Sequence, residues 1–175
     1  MTHTHPARRS TTALTVSSII LIILSIPALA YEVRGAIDGA TNSTAALAVG
    51  ASCVSALVGL VFLAWLARFT PSILSWIAAF TWGTGGALII AGIGNGVTDA
   101  AIETSISGAQ TADVVTSVVT GPLIEETAKG IGALILILAA RKVLQRPAQG
   151  AVLGGLVGLG FAWGEDIGYY VSALD

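Results

Sequence analysis

Apolar residues in this chain run in long stretches and do not alternate with polar ones. A membrane-spanning helix needs roughly 20 mostly apolar residues. Five stretches reach or approach that length: Ala13–Tyr31, Thr44–Ala67, Ser72–Asn95, Val118–Ala140 and Ala148–Leu174. The pattern predicts an all-α, polytopic membrane helix bundle of about five transmembrane helices, forming a single domain over residues 1–175. Between the third and fourth stretches, Val97–Asp113 is polar and reads as a loop. Ile102 and Ile106, spaced i,i+4, allow one short interfacial helix in it.

Composition agrees. The chain is 54% apolar and 10% charged, with mean hydropathy +0.85, whereas a soluble domain carries about 25% charged residues. Its eight Lys and Arg are scattered, which excludes a nucleic-acid surface. The one cysteine, Cys53, has no partner for an internal disulfide.

Charge placement predicts orientation. With the N-terminus in the cytoplasm, the inner segments hold Arg8, Arg9, Arg68, Arg141, Lys142 and Arg146, and the outer loops hold Arg34 alone. The positive-inside rule favours that arrangement. Glu32, Asp38, Asp99, Glu103, Asp113 and Asp175 then all fall outside. His3 and His5 belong to the cytoplasmic tail and read as solvated. The first stretch has a second reading: Arg8-Arg9, an apolar run and Ala28-Leu29-Ala30 also fit a cleavable signal peptide.

Five ionisable residues interrupt the fourth and fifth stretches: Glu125, Glu126, Lys129, Glu165 and Asp166. A charge at the centre of a spanning helix costs about 2.5–3.5 kcal/mol on insertion scales. Such side chains must face the bundle interior or a wet cavity. Glu125 precedes Arg141 by 16 residues and Glu165 follows Arg146 by 19. At 1.5 Å per residue these are about 24 Å and 28 Å along two antiparallel helices, so Glu125 or Glu126 can meet Glu165 in the outer half of the membrane. Glu125 and Lys129 share a helix face, and Glu126 points about 100° away. Pro122 suits a first helical turn, which predicts a break near Thr120-Gly121-Pro122 and a helix start just before Glu125. On the fifth helix, Gly150, Gly154 and Gly158, and again Gly160, Gly164 and Gly168, follow the small-residue spacing of close helix packing. That predicts a tight seam against the fourth helix. Phe161 lies one turn before Glu165 and would shield it. A buried ion network without chemistry is the plainer reading of the same residues.

The segments P122-L-I-E-E-T-A-K-G130 and G158-L-G-F-A-W-G-E-D-I-G-Y-Y170 resemble the PrsW family of intramembrane proteases, which is related to the CAAX prenyl proteases and the Abi group. Glu125, Glu126 and Lys129 match the family's EExxK motif. Phe161 and Glu165 match its FxxxE motif, with Asp166 where the family usually has Asn. The family's third motif carries a histidine on a later helix, so the chain is expected to be the N-terminal portion of such a protein, incomplete at the C-terminus. The resemblance implies a membrane-bound endopeptidase of the bacterial plasma membrane. Its substrates would be membrane-anchored proteins such as anti-sigma factors. Glu125 or Glu126 would act as general base, Lys129 would orient it or stabilise an oxyanion, and Glu165 would hold water, a metal or the leaving group's proton. A divalent metal such as zinc, with Glu125, Glu126 and Glu165 as candidate ligands, stays open, since zinc favours His and Cys beside carboxylate. Two other readings remain: a transporter or ion-coupling protein, and a non-catalytic membrane scaffold of the same fold.

Overall fold

The computed structural model describes residues 6–67, 72–105 and 109–174, without the side chains of residues 6–10, 103, 109 and 110. His3, His5, Arg68, Ile106, Gly108 and Asp175 therefore lie outside the described residues, as do the side chains of Arg8, Arg9 and Glu103. The described residues form five helices and no strand. Helix α1 is Pro6–Ile37 and α2 is Asn42–Ala67. Helix α3 runs Ile73–Thr81, widens into a π turn over Trp82–Ala87 and continues as Leu88–Ser105. Helix α4 runs Ala109–Val115, widens over Thr116–Thr120 and continues as Gly121–Ala140. Helix α5 is Pro147–Leu174. Thr11–Ile37, Asn42–Ala67 and Ile73–Ile102 are long and apolar enough to cross a membrane. The protein is an integral membrane helix bundle.

Two local expectations need correction. The polar stretch 97–113 is mostly helical, because α3 extends to Ser105 and α4 begins at Ala109. The break near Pro122 is only a widening: the regular α-helix starts at Gly121 with Pro122 in its first turn, but the chain stays helical through Thr116–Thr120. Gly121 is helical, and its N–H reaches back to the carbonyl of Thr116. A proline ring inside a helix clashes with the carbonyl four residues before it. The wide turn just ahead of Pro122 relieves that conflict while the helix continues. Glu125 is consequently not in a first turn, and no free helix N-terminus faces it.

Helix α3 is the centre of the bundle. Its π turn, WGTGGA, is buried at every position. It packs against α1 on one side and α5 on the other. A Cβ at Gly83 would overlap the Val157 carbonyl of α5, and one at Gly85 would overlap the Ser25 carbonyl of α1. Small residues thus bring three backbones together, the usual device where lipid removes the hydrophobic drive between helices. Helix α1 contributes Leu14, Ser18, Leu21, Ser25 and Ala28, all buried and spaced alternately four and three residues to form one stripe. Large apolar side chains such as Ile23, Val58, Phe62 and Ile93 are exposed. In a bilayer these meet acyl chains.

The glycines of α5 act differently from the predicted seam. Gly160 lies on the backbone of Phe80 and Gly164 on Leu88, both in α3, and Gly155 lies on Leu63 of α2. Gly154, Gly158 and Gly168 have nothing within 4 Å of a built Cβ. The tight seam of α5 therefore faces α3, and α4 meets α5 through larger side chains.

Candidate active site

Helix α4 presents Lys129 between two glutamates. The Lys129 ammonium donates to Glu126 Oε1 at 2.9 Å and lies 3.6 Å from Glu125 Oε2. On its third side it sits 3.9 Å from the centroid of the Phe161 ring, on α5. Phe161 is fully buried. A cation over an aromatic face in desolvated surroundings is worth up to about 2 kcal/mol. Phe161 thus supports Lys129, a contact that the expected shielding of Glu165 did not include.

The two glutamates are not equivalent. Glu125 has 26% of its side chain exposed and Glu126 has 73%, against 18% for Lys129. Glu125 is the one turned inward. Glu165 is half-buried on α5, one helical turn beyond Phe161. The α4–α5 interface therefore joins Glu125 and Lys129 to Phe161, with Glu165 one turn further along α5, while Glu126 is exposed. Asp166 turns toward α2, where it accepts from Ser55 Oγ at 3.1 Å.

A residue outside both motifs fixes this arrangement. Trp82, the first residue of the π turn in α3, donates from its indole Nε1 to the Ala128 carbonyl at 3.1 Å. Its ring covers Gly132, where a Cβ would overlap it. The neighbouring Gly83 lies against Val157 and Phe161 of α5. Residues 82 and 83 therefore touch α4 next to Lys129 and α5 at Phe161. The sequence held a signal for this: Trp82 falls in the middle of an apolar stretch, away from the interfacial belt where tryptophan collects, and a buried indole N–H needs an acceptor. Ser55, polar within α2, is the other residue missed.

Residues 71–175 match the family described as PrsW family intramembrane metalloprotease. This chain belongs to the PrsW family. The match covers α3, α4 and α5, which carry every residue of the cluster, and at family level it makes the protein an intramembrane protease. Among curated proteins and among solved structures, nothing matches.

The family description implies a metal. Carboxylates outnumber the one ammonium here, which suits a cation, but the donor set is thin. Among the described residues, no group of three or more His, Cys, Asp or Glu converges, and the Lys129 ammonium lies against Glu125 and Glu126. The described PrsW residues do not by themselves fit a complete metal site.

Proposed function

We propose that this protein is an intramembrane endopeptidase that hydrolyses a membrane-anchored protein in the outer half of the bacterial plasma membrane, with its own N-terminus in the cytoplasm. The observation that carries this reading is Glu125, three-quarters enclosed and paired with Lys129, whose ammonium lies on the ring of Phe161, one helical turn before Glu165 on α5. Glu125 takes a proton from a water as the water oxygen bonds to the scissile carbonyl carbon. The Lys129 ammonium balances the negative charge that develops on the carbonyl oxygen, the kind of fixed electrostatic help that counts most where water is scarce. As the C–N bond breaks, the proton passes to the departing amine, with Glu165 holding the water beforehand and relaying that proton afterwards. The exposed Glu126 keeps Lys129 in place.

The test is hydrolysis itself. The chain is expressed both as these 175 residues and with any residues its reading frame encodes beyond Asp175. Each form is reconstituted with tagged single-span membrane proteins in ¹⁸O-labelled water. Fragments with new termini in the outer half of the span, each new carboxylate carrying one ¹⁸O, support the reading. Intact substrates with both forms of a folded protein overturn it.

A further inference from the structure

A second site lies at the opposite end of α4 and α5, remote from the carboxylates. The two helices are joined by residues 141–146. An open groove of ≈ 430 Å³ lies there, lined by Ile137, Leu144, Gly150 and Ala151 together with Arg146. That volume is within the range of about 300–1,000 Å³ usual for small-molecule sites. Arg141 and Lys142 stand on the same connection, and all three cations are exposed. The sequence has no acidic residue between Glu126 and Glu165, so nothing local neutralises them. Among the described residues, none of the three forms an ion pair. The backbone N–H groups of Gln145 and Arg146 are already taken by Gln149 Oε1, at 2.7 and 3.3 Å. The positive charge of this pocket is therefore carried by side chains.

We propose that this pocket binds an anionic phospholipid, with the headgroup phosphate on Arg146 and the adjacent Arg141 and Lys142, and an acyl chain over Ile137, Leu144 and Ala151. An apolar lining and uncompensated cations at a helix–helix connection match the two halves of such a lipid. Basic pockets of this kind between transmembrane helices recognise anionic headgroups. The site is independent of the proteolytic reading.

Native mass spectrometry of the delipidated full chain tests it, comparing phosphatidylglycerol with phosphatidylcholine of identical acyl chains. The wild type should bind phosphatidylglycerol more tightly. Arg146→Gln, a change on an exposed loop, should reduce that affinity about five-fold, since one Lys or Arg near an anionic lipid surface is worth about 1 kcal/mol. Gly150→Ala should bind as the wild type does, because a Cβ there makes ordinary contacts at 4.0 Å with Ile137 and Leu144. Gly150→Leu should fill the groove and weaken phosphatidylglycerol by a similar factor while the helix content stays the same. Equal affinity for the two lipids, or an Arg146→Gln protein that binds like the wild type, would overturn the proposal. So would inorganic phosphate that displaces the lipid at comparable concentration, since that would make the pocket a site for free phosphate.

Discussion

Lys129 is held by three groups of different kinds: an inward carboxylate, an outward carboxylate and an aromatic face. The Phe161 contact is the one that crosses between helices, and it ties α4 to α5 one turn before Glu165. A double-mutant cycle with Lys129→Met and Phe161→Leu measures it. The cycle should give a coupling of about 1–2 kcal/mol in mixed-micelle unfolding; strictly additive effects would remove the contact from the account. The sequence put Lys129 on the face of Glu125, with Glu126 about 100° away, yet the ammonium lies closer to Glu126, because a long lysine side chain reaches the i−3 as well as the i−4 neighbour. The support beneath Lys129 was not legible, because the EExxK spacing carries no information about which ring lies across the interface.

At the scale of elements, glycine spacing gave the wrong partner for α5. Small residues recur on several of its faces, and a repeat alone cannot say which one meets a neighbour. Contact decides. Gly160→Ala and Gly132→Ala should each cost about 1–3 kcal/mol of stability, as overpacking does, because the added methyl meets the backbone of Phe80 or the ring of Trp82. Gly158→Ala and Gly130→Ala, with open space around them, should be neutral or slightly stabilising. Equal costs for all four would show that close approach is not what these positions serve. The π turn of α3 was invisible in the sequence, because it depends on the approach of α1 and α5 to the centre of that helix. The one in α4 was signalled by Pro122, as a break and not as a wide turn. The helices themselves were legible, since the length of an apolar run is set by the thickness of the bilayer. Their ends were less so, since polar residues continue α3 and α4 beyond the apolar stretches.

At the scale of the whole molecule, α1 decides how much of the chain belongs to the bundle. Its N-terminal portion also fits a cleavable signal peptide, yet Leu14, Ser18, Leu21, Ser25 and Ala28 are buried. Gly85 leaves room for Ser25 and Leu29 of the same helix. A helix that packs this way is expected to stay attached, so the intact mass of the membrane-extracted protein should include residues 1–30. A mass beginning near Tyr31 would mean that the bundle forms without that stripe. The remaining architecture serves one end: α3 presses α4 and α5 together through Trp82 and Gly83, and the pressed interface joins Glu125 and Lys129 to Phe161, one turn before Glu165. The most direct test of that claim compares substrate cleavage by Glu125→Gln, Glu165→Gln and Glu126→Gln, with thermal unfolding recorded for each. Glu125→Gln and Glu165→Gln should lower the rate by about 10²-fold or more, the scale of a lost general acid or base, with unfolding unchanged, and Glu126→Gln should lower it far less. Cleavage at the wild-type rate by folded Glu125→Gln or Glu165→Gln would contradict the account.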